Sequence, residues 1–291
     1  MRDLQGKVAV ITGAGSGIGE GLARRLSREG MSIVIADLAL DQAERVTAEI
    51  RTSGGTAIAV EADVRDVRSM ISARERAYDE FGAVHLLCNN AGILLLREIG
   101  EMTNEDWRTV IDVDLFGPIN GLQAFLPPML AQGEEAHIVN TASAAGVVPL
   151  PGMGLGAYSA AKHGVVGLSE ILRAELAPHR IGVSVLCPMG VATPMLAAQA
   201  SRAADVTSTN ATSSNEVEHA GSRANERAEA RQQPPIMTPA QVAHVIVEGI
   251  RANRAYIMPH PELAVAIRER FEGMLQDCEQ QLAVAEEARR L

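Results

Sequence analysis

An apolar run at residues 7–12, KVAVIT, breaks directly into Gly13, Ala14, Gly15, Ser16, Gly17, Ile18 and Gly19, and a helical pattern, EGLARRLSREG, follows. Few chain paths accept that order. A short run without polar alternation belongs to a strand buried on both faces, and so to a parallel sheet. Glycines at such a turn let the backbone bend sharply and aim its free N–H groups, with the positive end of the next helix, at a pyrophosphate. A second strand, MSIVIAD, ends in Asp37, where a carboxylate can accept from both hydroxyls of an adenosine ribose. The same charge would repel a ribose 2′-phosphate, and Leu38 and Ala39 supply no cation to offset it. The pattern therefore favours NAD. In the alternative, Asp37 only caps the helix LDQAERVTAEI.

The strand and helix alternation continues. TAIAVEADV reads as a third strand that brings Asp63 to the adenine amino group and Val64 to its face. A helix over residues 67–81 leads to AVHLLCNNAG, whose Asn90, Ala91 and Gly92 put small residues where a dinucleotide would cross the sheet edge. Asn89 to Gly92 also fit an ordinary turn. Thr103 and Asp106 form a capping pair that opens a long helix over residues 104–131, carrying Trp107 as core and Asp114. AHIVNTAS and GVSVLCP are the fifth and sixth strands. Such repetition indicates an α/β fold, a doubly wound parallel sheet with helices on both faces.

The composition changes after Thr193. Residues 196–235 hold few large apolar side chains, and a substrate flap is expected at about 194–237. Thr238 and Pro239 open another helix, AYIMP is a short strand, and a charged helical tail runs from Pro261 to the end. Its positions 263, 266, 271 and 274 make one apolar face, expected to pack on the domain or on another subunit. The chain thus divides into a domain over residues 1–260 and a C-terminal helical extension over 261–291.

Tyr158 and Lys162 are four residues apart in AYSAAKHGVVGLSEILRAEL, where apolar residues recur at helical spacing, so both leave one face of a helix. A cation beside a phenol favours the phenolate and makes Tyr158 usable as a general acid or base. Ser143, placed by the preceding strand, can hold a substrate oxygen. His163 turns about 100° away from Lys162 and receives no role.

With 47% hydrophobic and 21% charged residues in 291, the composition is that of a soluble globular protein, expected in the cytoplasm. A net charge of −10 argues against nucleic acid or an anionic membrane as partner. Cys88, Cys187 and Cys278 have no metal-ligand spacing and read as reduced core thiols. None of the seven histidines has a partner spacing that suggests metal.

Thr12-Gly13-x-x-x-Gly17-Ile18-Gly19, Asn89-Asn90-Ala91-Gly92, Ser143, Tyr158-x-x-x-Lys162 and Pro188-x-Gly190-x-x-Thr193 occur in this order. Together they resemble the short-chain dehydrogenase/reductase family over roughly residues 4–260. The resemblance implies a single Rossmann-type domain with about seven strands, a nicotinamide dinucleotide, a small-molecule substrate and a homodimer or homotetramer. By that resemblance Tyr158 is the acid/base, Lys162 tunes it and binds the nicotinamide ribose, and Ser143 orients a carbonyl or alcohol. Pro188, Val191 and Thr193 would lie against the nicotinamide, with Thr193 on its carboxamide. Two positions depart from the family. Asp114 stands where Asn is usual, and its main-chain carbonyl can still hold a water linking Lys162 to solvent. Its charge, if close to Lys162, would favour the ammonium and oppose the phenolate. Met189 replaces a glycine and would narrow the pocket.

AYIMPHPE and the helix after it resemble, less specifically, bacterial members that oxidise benzylic alcohols in lignin-derived aryl ethers. Ile93, Leu94, Leu95, Val147, Val148, Met153, Met189, Met195 and Leu196 would line a mostly apolar pocket. Arg97 reads as an exposed residue or an anion contact. The expected activity interconverts a secondary alcohol and a ketone with NAD. The alternatives are a catalytically idle NAD-sensing or scaffolding protein and an NADPH-dependent carbonyl reductase.

Overall fold

Every residue of VAVIT in β1 (Val8–Thr12) is buried, as is every residue of AHIVNT in β5 (Ala136–Thr141). Strands of this kind need helices on both sides. A computed structural model, describing residues 1–197 and 235–290, has that arrangement. Residues 198–234, the greater part of the expected flap, lie outside the described residues.

The remaining strands are β2 (Ser32–Asp37), β3 (Thr56–Glu61), β4 (Leu86–Asn89), β6 (Ile181–Leu186) and β7 (Tyr256–Ile257). They form one seven-stranded parallel sheet in the order β3-β2-β1-β4-β5-β6-β7. Val10 pairs with Val34 on one side and with Leu87 on the other, so β1 is central. The strand order reverses between β1 and β4. At such a switch point the loops leaving the carboxyl ends of neighbouring strands diverge and open a crevice.

Helices α1 (Gly17–Arg28), α2 (Leu40–Thr52), α3 (Val67–Phe81), α4 (Asn104–Ile111), α5 (Gly117–Gln132), α6 (Gly156–Leu176), α7 (Pro239–Arg251) and α8 (Leu263–Ala288) complete the described elements. Alternate residues of each strand serve opposite layers. Ala9 and Ile11 of β1 pack with Leu22, Leu26, Val46 and Ile246, while Val8 and Val10 pack with Met70, Phe125, Met129 and Leu172.

Two expectations change. The helix read over residues 104–131 is interrupted by a π turn over Asp112–Phe116, which joins α4 to α5 and carries Asp114. Such insertions of one extra residue per turn gather at functional sites. The domain itself covers only the first half of the apolar face expected on the tail, and the alternative of another subunit stays open for the rest. Leu263 and Ala266 pack under β6, whereas Phe271 and Met274 are exposed, because α8 leaves the body of the molecule after its second turn. Cys278 is exposed as well, while Cys88 and Cys187 are core. No helix among the described residues is long and apolar enough to cross a membrane.

Candidate active site

The turn after β1 fits close approach by a ligand backbone. Gly13 and Gly17 have φ of +62° and +55°, values that L side chains rarely adopt. A Cβ on Gly13 would lie 2.8 Å from Ala91 Cα, and one on Gly17 would lie 3.1 Å from Thr193 Cγ2. A Cβ on Gly19 would collide with the Gly13 carbonyl. Ser16 is the N-cap of α1 with its side chain uncommitted to the helix, and Ile18 packs into the layer beneath. Segments 78 and 176 positions away in the chain, at Ala91 and Thr193, thus meet over one glycine turn.

Asp37 closes the far side of this turn. Its Oδ2 accepts from Gly15 N at 2.8 Å and its Oδ1 from Ala39 N at 3.0 Å. The second bond goes to Ala39, the N-cap of α2, and not to an N–H inside the helix, so Asp37 is not the cap. Sequence reasoning missed Arg45, whose Nη2 donates to Gly15 O at 2.9 Å and pairs with Glu20 at 2.8 Å. Asp63, expected at the adenine amino group, is already paired. Arg65 grips both its oxygens, at 2.9 and 2.7 Å, and holds the carboxyl below its usual range. Val64 is buried and its carbonyl accepts from Asn120 Nδ2 at 2.8 Å.

At the switch point, Thr12 does more than its place in the glycine motif suggests. Its Oγ1 accepts from the amides of Asn90 and Ala91 at 2.9 and 3.0 Å, and Asn90 Nδ2 donates to Thr12 O at 2.9 Å. These bonds lock the β4 loop onto the end of β1. Gly92 follows, and a Cβ there would sit 2.7 Å from Asp114 Oδ1 and 3.4 Å from Lys162 Nζ.

α6 brings Tyr158 and Lys162 together as their spacing requires, with the ammonium 5.5 Å from the phenol ring centroid. Lys162 is 2% exposed and donates to Thr141 O at 3.0 Å. Ser143 caps a short 3-10 turn, accepting from Ala145 N at 3.2 Å, and its hydroxyl is a hydrogen-bond partner of the phenol. The Ser143 segment is tied to the loop after β6 by Ala144 N donating to Pro188 O at 2.9 Å. Val191 is buried and bridges Met237. Thr193 stands one helical turn before Leu196, beside Gly17.

The electrostatics depart from the simple pair. Burial pushes the Tyr158 phenol up, Lys162 pulls it back, Asp114 pushes it up again, and Ser143 favours the phenolate; the net is upward. Burial alone would depress the Lys162 amine, but the Asp114 carboxylate outweighs it and the ammonium is held. Asp114 Oδ1 accepts from Ile93 N at 3.1 Å.

Ile93, Leu95 and Leu115 pack around Tyr158, and Val147, Val148 and Met189 form an adjoining apolar group. Met153 and Met195 are exposed. Arg97 pairs with Asp106 at 2.6 Å, which leaves the anion reading without support. No cluster with metal-ligand character occurs among the described residues.

The model of the family described as short chain dehydrogenase matches residues 7–204. Cyclohexanol dehydrogenase of Acinetobacter sp. (strain SE19) is 42% identical over 192 residues, which is 66% of this chain and 75% of that protein. C alpha-dehydrogenase of Sphingobium sp. (strain NBRC 103272 / SYK-6) is 33% identical over 277 residues, 94% of this chain and 87% of that one. A short chain dehydrogenase/reductase from Burkholderia phymatum in complex with NAD superimposes with a TM-score of 0.79 at 35% identity, covering 95% and 97% of the two chains. The glycine turn at the switch point and the extended similarity agree: the chain belongs to the short chain dehydrogenase family.

Proposed function

We propose that the protein interconverts a secondary alcohol and a ketone with NAD, Tyr158 acting as the acid/base. One observation carries the reading: the Tyr158 phenol, the Lys162 ammonium and the Ser143 hydroxyl come together beside Gly92, in the loop bonded to Thr12 at the mouth of the glycine turn.

The residues present fit a dinucleotide. Gly13, Ser16, Gly17, Ile18 and Gly19 would hold its pyrophosphate, and Asp37 the adenosine ribose. Val64, Asn90, Ala91 and Gly92 would flank its path, with Pro188, Val191 and Thr193 at the nicotinamide end. Asp63 contacts adenine only if Arg65 shares the carboxylate. A bound oxidised nicotinamide would supply the acceptor for the hydride of the carbinol carbon. Tyr158, as phenolate, accepts the hydroxyl proton, so hydride and proton leave together and a ketone remains. Lys162 favours that phenolate by charge, Ser143 holds the substrate oxygen, and Asp114 keeps Lys162 protonated. The reverse direction runs the same transfers backwards.

The relatives named for cyclohexanol and for C alpha dehydrogenation support a carbinol on an apolar or aromatic body, as do Ile93, Leu95, Val147 and Met189 around the site. Arg45 beside Gly15 is what an NADPH-dependent reductase would use, but Glu20 pairs with it and the Asp37 carboxylate holds the same glycine. Assembly as a homodimer or homotetramer belongs to the same reading, through the helices that carry Asp114 and Lys162, where Phe116 and Ile171 are exposed. The test is NADH formation with a panel of secondary alcohols. Turnover supports the enzyme, and NAD binding without turnover on any member favours the sensing or scaffolding alternative.

A further inference from the structure

After β7 the chain turns at His260 into α8, and two side chains from this stretch reach back to the site. His260 is 1% exposed. Its Nδ1 faces Met189 N at 3.1 Å and its Nε2 faces Pro235 O at 3.2 Å. An amide N–H can only donate and a carbonyl can only accept, so the ring is neutral with its proton on Nε2. Ten residues on, Arg270 Nη1 donates to Val147 O at 2.6 Å and to His163 Nε2 at 2.8 Å. His163 in turn donates from Nδ1 to Ser159 O at 2.8 Å.

Each target is attached to the catalytic group. Met189 follows Pro188, whose carbonyl holds the Ser143 segment. Val147 lies four residues after Ser143, and His163 directly follows Lys162. Between the two anchors, Leu263, Ala266 and Ile267 pack against the apolar group that contains Val147, Val148 and Met189. Both substrate-side segments, after β5 and after β6, are therefore held from one element. None of these bonds reaches the glycine turn or Asp37.

We propose that His260 and Arg270 are positioning residues for the alcohol: the first turns of α8 brace Val147 and Met189, and so fix the substrate wall facing Tyr158 and Ser143. The proposal rests on the reading of those two residues as the reacting pair. It goes beyond that reading by assigning substrate recognition to the tail.

The experiment compares Arg270→Ala, Arg270→Lys, His260→Ala and His260→Asn with the wild type for alcohol KM, kcat, NAD affinity by calorimetry and melting temperature. The two alanine variants should raise alcohol KM about tenfold, the scale of one or two lost hydrogen bonds, with NAD affinity and melting temperature nearly unchanged. Arg270→Lys keeps a donor for Val147 O, and His260→Asn keeps an acceptor for Met189 N, so both should recover part of the loss. An unchanged KM overturns the brace. So does a KM that worsens in step with NAD affinity and melting temperature, which marks plain structural support. Should no alcohol be turned over by the wild type, amide exchange decides without activity. Faster exchange at Met189 in His260→Ala and across residues 144–148 in Arg270→Ala supports the brace, and unaltered exchange there rejects it.

Discussion

Lys162 Nζ lies 3.3 Å from Asp114 Oδ1, and both side chains are sealed from solvent, at 3% and 0% exposure. Asp114 Oδ2 is buried with no hydrogen-bond partner among the described residues. The pair offsets burial, which by itself lowers the pKa of the amine. It also sets the phenol in a field with a negative as well as a positive member.

Asp114→Asn should therefore move the pH profile of alcohol oxidation. Oxidation needs Tyr158 deprotonated, so the rate rises as pH rises through the phenol's pKa. Asp114 raises that pKa; a neutral amide removes this push while Thr141 O still accepts from the Lys162 ammonium, and the rising limb should shift to lower pH. Rate measurements across pH check it, and a limb that stays or moves upward contradicts the role given to Asp114.

Asp37→Ala should relax the choice of cofactor. The variant loses the carboxylate that opposes a 2′-phosphate and keeps Arg45, 2.9 Å from Gly15 O, as a cation on the same turn. The ratio of kcat/KM for NADP to that for NAD should rise about tenfold or more, since one charge contact near a surface is worth between about 1 and 4 kcal/mol. An unchanged ratio would place the selectivity elsewhere.

Acid sensitivity should trace to His137, which lies in β5 with Nε2 at 2.8 Å from Ser184 Oγ and Nδ1 without a partner among the described residues. Burial, aided by the N-terminal ammonium and Arg173, pushes its pKa down to about 3 from 6.5. The unfolded chain takes up this proton first as pH falls. Its contribution is thus intact above about 6.5 and is lost progressively toward about 3. His137→Gln keeps a donor for Ser184 and removes the titration. Denaturant midpoints at neutral pH and at about pH 5 should converge in the variant and separate in the wild type.

Much of the fold was legible because it depends on local patterns. Wholly apolar strands, the glycine turn, and the Thr103–Asp106 and Thr238–Gln241 capping boxes each act within a few residues. The Tyr158 and Lys162 pairing was legible for the same reason, as helical periodicity fixes it. What escaped the sequence depends on distant partners. The Arg65 clamp on Asp63 competes with a ligand that no spacing rule includes. The π turn at Asp114 leaves no compositional mark, and His163 has no role until Arg270 arrives from 107 residues away. Phe271 and Met274 continue a helical stripe whose first half is core, and periodicity cannot say where the helix leaves the domain.

The most direct test concerns Tyr158 alone. Tyr158→Phe keeps the ring packed among Ile93, Leu95 and Leu115 and removes only the hydroxyl. With a secondary alcohol that the wild type oxidises, the variant should lose about 10²- to 10⁴-fold in kcat, the range of general acid/base catalysis. NAD affinity by calorimetry should stay the same. A variant that still produces NADH at most of the wild-type rate would contradict the assignment of this phenol as the proton carrier.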